Sequence, residues 1–294
     1  MEYRLNKNAN QELSTLTMIS DESGFEVASV IVFGKEECAL LDCQWTKSQA
    51  ELVLAEIHQR NLDLKTIFVS HAHPDHYLAA AVFKNAYPNA KLVAPSDACR
   101  IINKQFTDKA DYWEEVIGKH NVPREEIKLV PNDTGFEVEG QKVEIIPEVM
   151  GDWKYNSLVW IPSIKTVYGT DILFSQAHPF TCELTPDELE AWYVDLDKIL
   201  ALGADTIIPG HAKPGMPFDE RSVYFTKDYI RATQEVLKTK HTVADFYFEM
   251  IQRFPAANLL ISNDMNANVY KGTREFDFRD DGIDPKAIAK ELDK

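Results

Sequence analysis

The chain is short of cysteine, of positive charge and of long apolar runs. Its four cysteines, Cys38, Cys43, Cys99 and Cys182, are scattered over 294 residues and form no C-x-x-C pair. That excludes a disulfide scaffold and a cysteine-built zinc module, and fits free thiols in a reducing compartment. No apolar run approaches the ~18 residues that a membrane span needs. Residues 1–20 lack the continuous apolar core of a secretory signal, so the expected location is the cytoplasm. Lys and Arg number 31 against 47 Asp and Glu, a formal charge of −16. Nucleic acid and anionic membrane surfaces are held chiefly by Lys and Arg, so neither is expected as a partner. No low-complexity linker or internal repeat divides the chain.

What is present is an ordinary globular composition, 45% apolar and 27% charged, with enough chain for a sizeable core. Short apolar or alternating runs at Glu12–Thr17, Val27–Phe33 and Cys38–Asp42 predict strands. Thr46 predicts a helix cap, with Leu52, Leu54 and Ile57 near one face of the helix that follows. Leu64–Ser70 reads as a buried strand, Leu78–Ala86 as a buried helix, and Ser96–His120 as one or two surface helices. Strands return at 127–130, 135–138 and 141–148, and Leu158–Ile161 with Thr166–Tyr168 reads as a hairpin. Pro186–Leu202, Ser222–Lys238 and Val243–Arg253 read as helices, the second carrying Val223, Ile230 and Leu237 on one face. Lys271–Lys294 reads as a charged surface tail with a short final helix. The expected class is α/β or α+β, helices covering sheets, with residues 1–220 as the main domain and 221–294 as helices and tail packed on it. Those C-terminal helices could cap a cleft or form a homodimer surface.

The histidines are unevenly placed. Three of the eight fall in Ser70–His76, S-H-A-H-P-D-H, directly after a predicted strand. His71, His73, Asp75 and His76 are all potential metal ligands, and burying so many polar groups together is costly without a cation. Neutral imidazole and carboxylate suit zinc, and also iron or manganese.

H-x-H-x-D-H after a strand resembles the signature of the metallo-β-lactamase superfamily. Ala39-Leu40-Leu41-Asp42, Val167-Tyr168-Gly169-Thr170-Asp171 and Ile207-Ile208-Pro209-Gly210-His211 are similar to further motifs of that family, in the same order, over about residues 10–215. The resemblance implies a four-layer αβ/βα sandwich with metals at one edge of its two sheets. It implies that His71 and His73 bind a first metal, that Asp75, His76 and His211 bind a second, and that Asp171 bridges them. Asp42 would orient the histidine loop from behind.

One position departs from the pattern. Where the family carries a Gly-His motif before a Ser-Leu-Val strand, this chain has Gly151-Asp152-Trp153. Three readings stand open: Asp152 is a carboxylate ligand to the first metal, it accepts a hydrogen bond from a ligand or water, or the first site is weakened. An ionised, coordinated Asp152 would leave a pair of divalent ions with less net positive charge and a weaker pull on anionic substrates. Among neighbouring residues, His178 is either a substrate contact or a surface-loop histidine. Trp153, Tyr155 and Phe180 are either a pocket wall or plain core, Tyr77 is expected to pack beneath the histidine cluster, and Cys43 is expected to be a small buried thiol. His58, His120 and His241 read as solvated.

The function implied by the resemblance is a metal-dependent hydrolase, with two zinc ions and a metal-bound hydroxide attacking a small lactone, thioester or other ester. Asp75 would orient the hydroxide or take its proton. An iron-dependent redox enzyme of the same fold and a phosphate- or sulfate-ester hydrolase are the alternatives. A nuclease is disfavoured by the charge, and a decayed, binding-only site by the number of motif positions retained.

Overall fold

The computed structural model describes residues 1–7, 13–118, 121–125, 127–276 and 278. His120 and the expected final helix lie outside them. Seven strands form the first sheet, in the order β1 (Glu2–Asn6), β2 (Ser14–Ile19), β3 (Ala28–Phe33), β4 (Glu37–Leu41), β5 (Asp63–Phe68), β6 (Lys91–Ala94) and β7 (Val130–Pro131). The first four are antiparallel neighbours; from β4 to β7 the pairing is parallel. The second sheet is built from β8 (Gly135–Val138), β9 (Gln141–Val149), β10 (Asn156–Ile161) and β11 (Thr166–Tyr168), all antiparallel. After the short β12 (Phe174–Ser175), β13 (Thr206–Ile208) joins β11 in parallel, and β14 (His211–Ala212) pairs with β12.

Side chains along a strand alternate between faces, and here both faces are apolar. In β3, Val30 and Val32 enter one core cluster while Ile31 and Phe33 enter another. β4 sends Ala39 and Leu41 to the first and Cys38 and Leu40 to the second; β10 sends Val159 and Ile161 to the first and Leu158 to the second. The first cluster holds residues of both sheets, including Phe68, Val93, Val143 and Tyr168, and lies between them. The second holds the outer faces together with the helices. Continuous apolar strands therefore mean coverage on both sides, which makes the four-layer αβ/βα sandwich that the motif order implied.

The first sheet is covered by α1 (Lys47–Gln59), the single-turn α2 (Pro74–Tyr77), α3 (Ala80–Ala86) and the long α4 (Ser96–Ile117). Thr46 caps α1, its side chain accepting from Gln49 N, as its position predicted. The face expected for α1 is corrected: Leu52 is exposed, and Ala50, Val53 and Ile57 make the buried stripe. On the second sheet lies α5 (Pro186–Ala201), which begins with a capping box of Thr185 and Glu188 and buries Leu189, Trp192, Leu196 and Ile199. α6 (Arg221–Thr239) packs on α5, α7 (Val243–Arg253) packs on α6, and α8 (Leu260–Tyr270) packs on α7. Val223, Ile230 and Leu237 of α6 are buried within the chain itself.

Several elements escaped the periodicity, among them β1, α8 and the short β12 and β14. β1 is a half-exposed edge strand with no apolar run to mark it. Of the strand expected at 127–130 only Val130 pairs with the sheet, followed by Pro131. α8 reads as polar because Ser262, Asn263 and Asn266 occupy its inward face.

Candidate metal centre

The site stands where neighbouring strands of both sheets reach their C-terminal ends. Parallel pairing of Leu41 with Phe68 puts Asp42 beside the loop after β5, with Asp42 N donating to Phe68 O at 2.8 Å. Parallel pairing of Tyr168 with Ile208 does the same on the second sheet, so Thr170-Asp171 lies against Gly210-His211. Gly210 N donates to Thr170 O at 2.8 Å, and the approach is so close that a Cβ on Gly210 would collide with Asp171 Oδ1 and the Thr170 carbonyl. Asp152 arrives on the turn between β9 and β10, its backbone N donating to Asp171 O at 3.1 Å.

These junctions bring seven side chains together in two groups. His71, His73, Asp152 and Asp171 form one; Asp75, His76, Asp171 and His211 form the other, and within each group the ligand atoms lie within 4.8 Å of one another. Asp171 belongs to both. His71 Nε2 lies 3.5 Å from Asp171 Oδ2, and His73 Nδ1 lies 2.9 Å from Asp152 Oδ2. In the second group His76 Nε2 is 3.1 Å from Asp171 Oδ1, and His211 Nε2 is 3.3 Å from Asp75 Oδ2 and 3.2 Å from Asp171 Oδ2.

Each imidazole is held from behind by an acceptor, which decides the nitrogen it offers. Asp42, fully buried with a left-handed backbone (φ 58°), accepts from Ser70 N and Ser70 Oγ, both at 2.8 Å, and from His76 Nδ1 at 2.8 Å. The Tyr168 hydroxyl adds a contact at 2.7 Å. Because the Ser70 hydroxyl proton goes to Asp42, its oxygen is left to accept from His71 Nδ1 at 2.9 Å. Glu183 accepts from His73 Nε2 at 2.7 Å, and the Phe25 carbonyl accepts from His211 Nδ1 at 2.6 Å. All four rings thereby aim their other nitrogen inward. Such outer hydrogen bonds orient metal-binding histidines and raise their basicity.

The residues fit a metal. His71 Nε2, His76 Nε2 and Asp171 Oδ1 are buried and find no hydrogen-bond partner among the described residues. Leaving buried polar atoms unpaired costs about 1–3 kcal/mol each, and a cation placed among them removes that cost. In the protein without metal the buried imidazoles and carboxylates shift one another's pKa values. Burial works against protonated His73, His76 and His211, yet Asp152, Asp171 and Asp75 outweigh it; His211 is pushed up to about 10. His71 goes the other way, to about 4, through burial and the nearby His76. Burial drives Asp152 up to about 7 despite His73, while His76 and His211 overcome burial and hold Asp75 down at about 2.

A cavity opens onto these groups, lined by His73, Asp75, Asp152, Asp171 and His211 on one side. The other side is apolar: Phe25, Trp45, Trp113, Phe174, Phe180 and Phe276, with Leu259, Ile261 and Met265 from the start of α8. The C-terminal helices thus close over the cleft. Asn266 of α8 ties them to it, accepting from Thr181 N at 2.8 Å and Cys182 N at 3.1 Å and donating to Pro179 O at 2.8 Å.

Not every expected wall residue is there. His178 is neither at the cavity nor on a surface loop; it is fully buried, its Nδ1 3.0 Å from the Tyr229 hydroxyl of α6, and burial lowers its pKa to about 4. Trp153 packs beside His73, ring centroids 6.4 Å apart, without reaching the cavity, and Tyr155 packs against Trp153 and Arg100 at the surface side. Phe180 does line it. Tyr77 is buried under the cluster, Cys43 is a buried thiol, and His58 and His241 are exposed. Glu183 was missed: it lies 110 residues from His73 in a stretch with no metal-binding pattern, and only its place just before a helix start distinguishes it.

A family profile described as Metallo-beta-lactamase superfamily matches residues 23–211. Glyoxylase B2 of Dictyostelium discoideum is 24% identical over 218 residues, 70% of each chain. The metallo-beta-lactamase from Pontibacter korlensis superposes with a TM-score of 0.56 at 18% identity, covering 78% of this chain and 99% of that one. The IND-7 metallo-beta-lactamase gives 0.58 at 18%, covering 78% and 98%. At such identities the structural likeness speaks for the fold alone.

Proposed function

The chain belongs to the metallo-β-lactamase superfamily, and from that premise we propose that it is a hydrolase of small ester-type substrates (lactones, thioesters or other esters) that works with two divalent ions, zinc by preference. The observation that carries this reading is the pair of ligand groups sharing Asp171, with buried inward atoms that nothing else satisfies. The name of the Dictyostelium relative favours the same side of the superfamily. His71, His73, Asp152 and Asp171 would hold one ion, and Asp75, His76, Asp171 and His211 the other. When bound, such ions supply Lewis acidity at a carbonyl oxygen and lower the pKa of a coordinated water.

The remaining work falls to the protein. Asp42, Ser70, Glu183 and the Phe25 carbonyl keep the four imidazoles aimed, so little reorganisation is needed as charge develops. Asp75 lines the cavity, stays ionised and can hold a proton of the attacking water by accepting a hydrogen bond. The apolar wall limits bulk water, which strengthens every electrostatic contact inside.

The test is elemental analysis of the purified protein joined to a hydrolysis panel of lactones, thioesters and aryl esters. Activity that is lost to a chelator, restored by metal and abolished by His71→Ala supports the reading. A metal-loaded protein inert across the panel refutes it. The three aspartates among the ligands, with Glu183 behind His73, form an oxygen-rich set that also suits iron. Bound iron with dioxygen consumption would decide for a redox enzyme instead.

A further inference from the structure

The two ligand groups are built to one plan. Each has two imidazoles, one carboxylate of its own and a share in Asp171: His71, His73 and Asp152 in the first, His76, His211 and Asp75 in the second. The likeness continues behind the ligands. In each group one imidazole is backed by a buried carboxylate, Glu183 behind His73 at 2.7 Å and Asp42 behind His76 at 2.8 Å. The other imidazole is backed by an uncharged oxygen, Ser70 Oγ behind His71 at 2.9 Å and the Phe25 carbonyl behind His211 at 2.6 Å.

The plan also holds toward the cavity. Each group turns one imidazole and its own carboxylate to that space, His73 with Asp152 and His211 with Asp75. Each keeps its second imidazole at the back. His71 and His76 are fully buried and do not line the cavity, and their rings stand side by side with centroids 4.3 Å apart. The inward Nε2 of both is unpartnered among the described residues, as is Oδ1 of the shared Asp171.

Asp152 completes the match. A histidine in its place would give the first group three imidazoles and no carboxylate of its own, against two imidazoles and a carboxylate in the second. Donor type and geometry decide which divalent ion a site takes. Unlike groups can therefore hold different metals or fill in a fixed order. Here the donors, their outer partners and the formal charge are the same on both sides, so nothing in the ligand set ranks one group above the other.

We propose that this chain binds its two ions as an equivalent pair, of the same element and with comparable affinity, so that neither group fills before the other. This rests on the two-ion reading above and adds how the ions are selected. From a mixture of divalent ions, both groups take the same proportions.

The metal-free full-length protein is titrated with NMR-active cadmium up to two equivalents, and the metal resonances are followed. Signals from the two groups should rise together from the first addition and stop growing at two equivalents. Asp152→Asn and Asp75→Asn assign the signals, since each variant spares one group. By chelator competition, the dissociation constants of the two spared groups should differ by less than about tenfold, the least that loss of one outer partner costs. With one equivalent each of zinc and cadmium, cadmium should appear in both groups alike. Where a variant does not fold, the two titrations of the unaltered protein decide. One signal that is complete at one equivalent before the other begins overturns the proposal and leaves the two-ion reading standing. Cadmium confined to one group and zinc to the other does the same. Binding that ends at one equivalent overturns both.

Discussion

Glu183 Oε2 lies 2.7 Å from His73 Nε2, and with that nitrogen engaged His73 turns Nδ1 to the first ligand group. Glu183→Ala should therefore weaken metal binding there by about 10–100-fold, the usual cost of removing an outer partner of a ligand histidine. The group of Asp75, His76 and His211 should stay loaded. Glu183→Gln keeps an acceptor at the same reach and should lose less. Metal content after dialysis against graded chelator measures both. Equal loss from the two groups, or no loss, contradicts the assignment.

Asp152 stands in the first group only, 2.9 Å from His73 Nδ1, with Asn156 Nδ2 donating to its other oxygen at 3.0 Å. Asp152→Asn keeps the shape and removes the charge. It should halve the metal content at limiting metal and leave the fold intact, checked by elemental analysis beside circular dichroism. Retention of full metal content would make Asp152 a bystander.

Loading metal must expel protons. In the protein without metal, burial is outweighed by Asp171 and Asp75 at His211, whose pKa stands at about 10, and His73 and His76 are likewise held protonated. A proton and a metal compete for the same nitrogen, so apparent metal affinity should rise with pH through neutrality and flatten only near pH 10. Calorimetric titration in two buffers of different ionisation enthalpy reads the proton count. Heats that do not depend on the buffer would contradict it.

Gly210→Ala should strike the site through the backbone. Its new Cβ would press on Asp171 Oδ1 and on the Thr170 carbonyl, a backbone group that cannot swing away as a flexible side chain would. Overpacking of this kind costs about 1–3 kcal/mol, seen as a lower urea midpoint in the metal-free protein. Both ligand groups should lose affinity together, since Asp171 serves both. Selective loss from one group would be the contrary result.

The four thiols should be silent in the native protein. All four cysteines are buried, and burial pushes Cys38 up to about 12 and Cys99 to about 11, with Cys43 and Cys182 also raised. Folded pKa values above the unfolded ones mean that the folded state holds more protons between them. Their contribution to stability is thus complete below about pH 9 and is lost as pH rises toward 12. Ellman's reagent at mildly alkaline pH should find no fast-reacting thiol until denaturant is added, and then four. A fast native thiol would contradict the burial.

How much was legible in the sequence differs from element to element. β3, β4 and β10 announced themselves because a strand covered on both faces is apolar throughout. α1 announced its start through Thr46, whose side chain caps an exposed backbone N–H group. α8 did not, because its inward Asn266 spends its polar groups on the backbone of residues 179–182, and inward amides look like outward ones in a pattern of apolar residues. His178 misled for a related reason: it is seven residues past Asp171, but that loop turns it into the core under α6.

The sequence by itself determined where the histidine cluster lies. His71, His73, Asp75 and His76 are close because they are close in the chain, and local spacing needs no tertiary structure to be read. It also determined the two-faced strands and so the layered class. Only the tertiary structure decided the rest: that the parallel ends of β4 with β5 and of β11 with β13 face one another across the sandwich, that Asp152 reaches His73, and that Glu183 stands behind it. It alone assembled the apolar wall of the cavity, from residues as far apart as Phe25 and Phe276. The physical reason is that such contacts are made by packing between elements, which depends on register and layer geometry and leaves no periodicity in any one segment.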